Sequence, residues 1–430
     1  MANICVIGVG HVGLVAGACF AELGNNVICA DDDTRKIDGL KKYVLPFYEP
    51  GLEAMVQQNA AKGRLSFVYR LEDGVISSEI IFIAVGTPQK TNGAADLTSI
   101  ENVTRRIAAA ADGYKLIVEK STVPIRTWEW INKTIIASCR QGLNYEIACN
   151  PEFMREGSAI EDFMKPDRIV LGVNSERAAK QLTDLYQPIC APLVITDVST
   201  AELIKHASNS FLAMKISYIN AVATICEKTG ADVMKVAEGM GLDKRIGKGF
   251  LNAGIGYGGY CFPKDVAAFI KMADENGYDF ELLKAVQVIN NSQRKQILRK
   301  AKEALWNLKG KAIGILGLSY KPDTDDMREA PSVYIIGELL KRGVSIKAYD
   351  PQAMETAKNL LPGIDYCRGP YEAARGCDAL LILTEWEEFK NLDLSRIKNL
   401  LKQPIIIDGR NIFDPMDMKA LGFIYSGIGR

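Results

Sequence analysis

A run of β-branched and apolar residues from Asn3 to Ile7 leads directly into glycines at Gly8, Gly10 and Gly13. A strand that ends on GxGxxG, continues into an apolar helical run from Leu14 to Leu23, and returns as a strand from Asn26 to Ala30 reads as a βαβ unit. No other feature restricts the folding of the chain as much. The glycines permit a tight turn and let a pyrophosphate approach the N-terminal amides of the helix. Asp31, at the end of the second strand, is placed to accept hydrogen bonds from adenosine ribose hydroxyls and to repel a 2′-phosphate, which predicts NAD over NADP. The alternative is a Rossmann-like turn that takes no dinucleotide. Asp32 and Asp33 add negative charge and are expected to be solvated loop residues.

Apolar strand patterns recur at Ile80 to Val85, Lys115 to Val118 and Ile169 to Val173, with a helical pattern from Ile100 to Ala111. Such alternation predicts a doubly wound, mostly parallel sheet. The run AVGTP at 84–88 ends a strand, so Thr87 and Pro88 fall at the carboxyl edge where ligands of these sheets bind. From Thr200 to Thr229 the pattern becomes one long helix, apolar at Ile204, Ala207, Phe211, Met214, Ile219, Val222 and Ile225. Ser199 or Thr200 can cap it, and Gly230 can end it. A second α/β alternation begins at Lys311 with AIGILGL, passes through a helix from Ser332 to Arg342 and returns as a strand from Ser345 to Tyr349. At 430 residues the chain exceeds what one core usually organises. The predicted architecture is α/β, with two Rossmann-like doubly wound domains joined by a long central helix and a helical middle domain: 1–198, 199–300 and 301–430. The long helix is apolar on more than one face, so it either forms a homodimer seam or is fully buried within the chain.

Composition narrows the partners. The 52 Lys and Arg balance the 52 Asp and Glu, which removes the long-range field expected of a nucleic-acid-binding protein. Ten cysteines are scattered without disulfide-framework or CxxC spacing, so no metal site is expected and reduced thiols in a cytoplasm fit best. The first residues lack the basic and apolar regions of a signal peptide, and no apolar run is long enough to span a bilayer.

The segment GYGGYCFPKD, Gly256 to Asp265, is where chemistry concentrates. Gly256, Gly258 and Gly259 bring bare backbone beside Cys261, with Lys264 and Asp265 just beyond, and backbone N–H groups there can hold a phosphate or an oxyanion. A lone cysteine is ordinarily a small buried hydrophobe; here the glycines and the charged pair favour a nucleophile. An aldehyde has no removable hydride until a nucleophile adds to it, and a thiolate gives a thiohemiacetal that can lose hydride to become a thioester. Hydrolysis then yields an acid. The two histidines, His11 in the glycine loop and His206 beside Lys205, have no evident orienting carboxylate and are expected to be structural. Lys205 and Asn209, spaced i, i+4 on the long helix, point the same way and suit joint stabilisation of an oxyanion, unless they form a solvated helix face.

Taken together, GxGxxG, EKSTVP at 119–124, NPEFMREG at 150–157, KHASNSF at 205–211, GYGGYCFPKD and GLSYKPDTDDMREAPS at 317–332 closely resemble the UDP-glucose 6-dehydrogenase family over nearly the whole chain. The resemblance implies NAD-dependent four-electron oxidation of a UDP-glucose C6 alcohol to the acid. It implies Cys261 as nucleophile, with Asp265, Lys205, Asn209 and Thr122 around it, Lys205 on the oxyanion, Asp265 and Thr122 with an ordered water, and Glu152 as general base. For NAD it implies Val12, Asp31, Lys36, Thr87, Thr122, Glu156, Lys264 and Arg328, beside the loop glycines. For the sugar nucleotide it implies Glu152, Phe153, Met154, Arg155, Glu156, Lys205, Asn209, Phe250, Leu251, Asn252, Ala253, Gly254, Gly258, Tyr320, Lys321 and Arg410. Arg245 corresponds to an arginine that family dimers supply from the neighbouring subunit. Tyr260 departs from the pattern, in which a small residue precedes the cysteine, and this bears on fine sugar preference. Related chemistry on GDP-mannose or a UDP-N-acetylhexosamine is the alternative; a catalytically silent sensor is disfavoured by the intact Cys261, Lys205, Asp265 and Glu152.

Overall fold

The computed structural model describes residues 1–139 and 143–430. The chain packs as two compact units: Met1–Ser208 with Ala267–Gly277, and Asn209–Val266 with Tyr278–Arg430.

The first unit is built on β1 (Asn3–Ile7), β2 (Asn26–Ala30), β3 (Leu65–Val68), β4 (Ile80–Ile83), β5 (Tyr114–Glu119), β6 (Asn144–Cys149), β7 (Ile169–Gly172) and β8 (Leu193–Thr196). They are ordered β3-β2-β1-β4-β5-β6-β7-β8, parallel at every pairing except the antiparallel β6–β7. All four residues of β4 are buried, as expected of a central strand covered on both faces. Phe20, Phe82, Phe163 and Tyr186 pack together in the core on one of those faces. Strand order reverses between β1 and β4, which makes the carboxyl ends of these strands the ligand-binding edge.

The second unit repeats this plan with β9 (Ala312–Leu316), β10 (Ser345–Tyr349), β11 (Asp365–Tyr366), β12 (Ala379–Ile382), β13 (Ile405–Asp408) and β14 (Ile424–Ser426), all parallel in the order β11-β10-β9-β12-β13-β14. The repetition extends to the turns. Gly8 N donates to Ala30 O at 2.8 Å and Val9 N to Asp31 at 2.9 Å, while Gly317 N donates to Tyr349 O at 2.9 Å and Leu318 N to Asp350 at 2.8 Å. The expected doubly wound α/β class is observed twice.

Observed boundaries differ from the patterned runs by a few residues. The first helix is His11–Glu22 because Gly10 already serves as its N-cap residue. The helix expected from Ile100 begins two residues earlier and spans Thr98–Ala110. The long helix spans Val198–Thr229. Its N-terminus is capped by Asp197, which accepts from Thr200 N at 2.9 Å, and not by Ser199 or Thr200. Gly230 ends it in a left-handed conformation (φ 76°) that a side chain disfavours. Residues 198–208 of this helix belong to the first unit and 209–229 to the second. It is not fully buried: Phe211, Tyr218 and Ile225 are exposed at seven-residue intervals. No described helix is long and apolar enough to cross a membrane, and no described His, Cys, Asp or Glu cluster could hold a metal ion.

Candidate active site

The dinucleotide end lies entirely in the first unit. A cavity of ≈ 400 Å³ is lined by Gly8, Gly10, Asp31, Asp32, Lys36, Val85 and Arg106 among others. Gly13 permits the turn through close packing, since a Cβ there would sit 1.9 Å from Gly8 O. Gly10 has nothing within 4 Å of where a Cβ would stand, so backbone faces open space at the helix N-terminus. Val12 is half-buried in the first turn of that helix. Asp31 accepts from Val9 N and Asp33 N, both at 2.9 Å, and Lys36 Nζ lies 3.7 Å away. The open glycine, the oriented carboxylate and the cavity fit an NAD adenosine and pyrophosphate.

One expectation changes here, for His11; Asp32 is an exposed loop residue, as expected, and Asp33 a partly exposed one, each with a partner. Asp33 caps the helix Thr34–Leu40 by accepting from Arg35 N. Asp32 is ion-paired to Arg106 at 2.6 Å; a partner 74 residues away was not visible in sequence. His11 has an orienting carboxylate after all: its Nε2 lies 2.7 Å from Glu49 Oε2. Buried Glu49 also accepts from Gly157 N and Ala159 N, tying the glycine loop to the NPEFMREG segment. His206 is buried, with Nε2 2.7 Å from Val123 O.

Further along the same sheet edge, Thr87 Oγ1 donates to Thr122 O at 2.8 Å, which joins the loops after β4 and β5. Lys205 Nζ donates to Glu152 Oε1 at 2.9 Å, and Glu152 Oε2 accepts from Met154 N at 2.7 Å. Both Lys205 and Glu152 are buried, so the solvated-face alternative for Lys205 fails. Burying two charges costs more than a neutral packing would, so the pair points to function more than to stability. Phe153 lies beneath Arg168 and Lys205, with the cations 3.6 and 5.3 Å from the ring centroid. Lys120, also near Glu152, is pushed down by burial to about 8. Arg155 is engaged by Asp162 at 2.6 Å, and Glu156 is half-buried in the same loop.

In the second unit, Asn209 Nδ2 donates to Asp265 Oδ2 at 2.6 Å and Lys264 Nζ to Asp265 Oδ1 at 2.6 Å; all three residues are buried. The solvated-face alternative therefore fails for Asn209 too. Cys261 is the first residue of the helix Cys261–Glu275 and is half-exposed. Unpaired amides at a helix start favour negative charge on a thiol there. By contrast, burial raises the Cys5 and Cys19 thiols to about 12 and Cys377 to about 11. Gly259 adopts φ 80° against the Tyr320 ring, where a Cβ would approach to 2.7 Å. A Cβ on Gly258 would lie 2.4 Å from Glu329 O. Tyr260 lies under the Arg328 guanidinium at 4.3 Å, and Arg328 is paired with Asp326 at 2.7 Å.

Phe250, Leu251, Asn252, Ala253 and Gly254 form a loop outside any helix or strand, pinned by Gly254 N donating to buried Asn220 Oδ1 at 2.8 Å. Arg410 donates to Tyr320 O and Leu383 O at 2.8 and 2.9 Å, bracing the loop that carries half-buried Tyr320 and Lys321. Arg245 is exposed and paired with Asp243 at 2.6 Å. Asp350 is the counterpart of Asp31, but its carboxylate is buried and accepts from Leu318 N, Ser319 N, Ser319 Oγ, Gln352 N, Ala353 N and Trp386 Nε1. No acceptor capacity is left for a ribose, so this turn is not a second copy of the dinucleotide site. Asp350 could have been found by aligning the chain's two strand-glycine-strand repeats.

Two doubly wound sheets, the first carrying a dinucleotide turn, with a glycine-rich cysteine segment between them in sequence, define the class: an NAD-binding dehydrogenase of two α/β units. Three family models match in succession: the NAD-binding domain of the UDP-glucose/GDP-mannose dehydrogenase family at 2–190, its central domain at 199–292 and its UDP-binding domain at 314–415. The chain is 47% identical to UDP-glucose 6-dehydrogenase TuaD of Bacillus subtilis, over 100% of its own length and 94% of that protein's. It is 45% identical to UDP-glucose 6-dehydrogenase of Rhizobium meliloti, over 100% and 99%. Among solved structures, UDP-glucose dehydrogenase from Pyrobaculum islandicum superposes with a TM-score of 0.94 at 38% identity, covering 100% of this chain and 98% of that one. The chain belongs to the UDP-glucose/GDP-mannose dehydrogenase family.

Proposed function

We propose that the chain oxidises the C6 alcohol of UDP-glucose to the carboxylate of UDP-glucuronate, consuming two NAD and one water and releasing two NADH and three protons. NAD supplies a hydride acceptor at each of the two oxidations. After the alcohol has become an aldehyde, the Cys261 thiolate adds to C6 and forms a C–S bond. Loss of hydride from C6 turns this thiohemiacetal into a thioester, and water breaks the C–S bond to give the acid and restore the thiolate. Lys205 and Asn209 stabilise the oxyanion, Glu152 acts as general base, and Asp265 with Thr122 orients water. Val12, Asp31, Lys36, Thr87, Glu156, Lys264 and Arg328 are proposed for NAD. For the sugar nucleotide we propose Phe153, Met154, Arg155, the 250–254 loop, Gly258, Tyr320, Lys321 and Arg410.

The observation that carries this reading is Cys261 at a helix start beyond a glycine segment, beside a buried Lys264–Asp265 pair. Its test is the NADH yield: two per UDP-glucose are expected, and one or none overturns the thioester route. A panel including GDP-mannose and UDP-N-acetylhexosamines separates the sister substrates; Tyr260 is the residue that motivates it.

The functional division is proposed to follow 1–198, 199–300 and 301–430. A homodimer through the long helix is supported by Phe211, Tyr218 and Ile225, exposed by 58%, 53% and 60%, with Met214 and Ala221 between them at three- and four-residue steps. In it, Arg245 would serve the site of the second copy. Ten free thiols are in keeping with a cytoplasmic location.

A further inference from the structure

Arg106 lies on the helix Thr98–Ala110 and lines the same cavity as Gly8, Gly10, Asp31 and Lys36. An arginine near the adenosine ribose is the usual means by which a Rossmann site accepts a 2′-phosphate, yet the chain belongs to a family with an NAD-binding domain. The ion pairing resolves this. Arg106 Nη1 donates to both oxygens of Asp32, at 2.8 and 2.6 Å, while Nε and Nη2 donate to Glu72 at 2.8 and 3.1 Å. Glu72 sits in the helix Leu71–Ile76, and the Arg106 hydrogen bond holds its carboxyl below the usual range. The guanidinium is thus anchored on two sides. Among the lining residues Asp31 and Asp32 balance Lys36 and Arg106, and Glu72, paired to Arg106, adds a third carboxylate.

We propose that the Asp32–Arg106–Glu72 clasp determines the choice between NAD and NADP, by holding the one arginine that lines the described cavity away from service as a 2′-phosphate ligand. Asp32 follows Asp31 directly, so the clasp closes one residue from the carboxylate that meets the ribose. Asp31 repels the phosphate, and Asp32 with Glu72 keeps its natural counter-charge occupied. The clasp is a specificity device and takes no part in hydride transfer. The inference rests on the dinucleotide reading of the first unit and not on the identity of the sugar.

The test is direct binding of NAD and NADP to the full chain without any sugar nucleotide, by calorimetry. Asp32→Ala frees one side of Arg106 and should improve the NADP-to-NAD affinity ratio by about ten-fold, one charge-assisted hydrogen bond's worth. Asp32→Ala/Arg106→Ala should lose that gain. An unchanged ratio in Asp32→Ala would overturn the proposal, and so would a gain that persists in the double variant, which would assign discrimination to Asp32 charge alone. Should Asp32→Ala fail to fold, Asp32→Asn keeps the shape and makes the same prediction. Wild-type protein that binds NAD yet does not oxidise UDP-glucose would count against the substrate reading and leave this inference standing. Wild-type protein that binds neither dinucleotide would sink both.

Discussion

Glu119, the last residue of β5, is fully buried, and neither carboxylate oxygen meets a hydrogen-bond donor among the described residues. Its neighbour is a second carboxylate, Glu202 on the long helix, which accepts from Arg126 N at 2.6 Å and Trp128 N at 3.2 Å at the start of the helix Thr127–Ser138. Burial raises the Glu119 carboxyl well above its ordinary 4.5, and the Glu202 charge raises it further. Glu202 is itself raised to about 7 by burial, against the pull of its two amide donors. Cys149 also faces the pair, and burial with the two carboxylates raises its thiol well above the ordinary value. The folded protein therefore keeps a proton that the unfolded chain releases near pH 4.5. A group raised on folding contributes stability that is complete below its unfolded value and is lost as pH climbs toward its folded value. One retained proton costs about 1.4 kcal/mol per pH unit. Glu119→Gln supplies a neutral donor of the same shape and removes that proton. From pH 5 upward the variant should gain on wild type by about 1.4 kcal/mol for each pH unit over which the proton is held, with little difference at pH 5. Thermal unfolding of both proteins across that range measures it. A variant equally shifted at pH 5 and pH 8, or less stable at pH 8, would refute a shared proton.

Asp350→Ala strands at least five buried donors and should destabilise the second unit by roughly 3–5 kcal/mol, with NAD binding to the first unit kept; calorimetric unfolding with an NAD titration reads both. Gly13→Ala forces a Cβ to 1.9 Å from Gly8 O, and should weaken NAD by more than about ten-fold through displacement of the turn. Cys261→Ser should stop acid formation and hold the sugar at the aldehyde or hemiacetal stage, visible by mass spectrometry; wild-type rates of UDP-glucuronate would end the thioester mechanism. Phe211→Asp puts a charge on the exposed Phe211–Tyr218–Ile225 face of the long helix; on the proposed dimer, light scattering should give a monomeric mass for the variant and a dimeric one for wild type, and equal masses would refute it.

Much of the fold was legible because its signals are local. Strand patterns ending on glycine, and the switch from alternating to helical periodicity, depend on residues a few positions apart, so β1, β2, β9 and β10 lie where the pattern puts them. The i, i+4 spacing of Lys205 and Asn209 put both on one face of the long helix. It could not give their burial, or their separate partners Glu152 and Asp265, 53 and 56 residues away. The Asp197 cap had a usable signal, an aspartate just before the helical run, which the neighbouring Ser199 and Thr200 obscured.

By itself, then, the sequence determined two strand-glycine-strand turns, a long helix and a cysteine set among glycines, because backbone freedom and periodicity are properties of short stretches. Only the tertiary structure decided what each charged group does. Asp31 and Asp350 occupy equivalent turns, yet one keeps acceptor capacity beside a cavity while the other is saturated by six donors. His11 meets Glu49, Asp32 meets Arg106 and Glu119 meets Glu202. The interaction between charges depends on distance and on exclusion of water, and both are fixed by how remote segments pack.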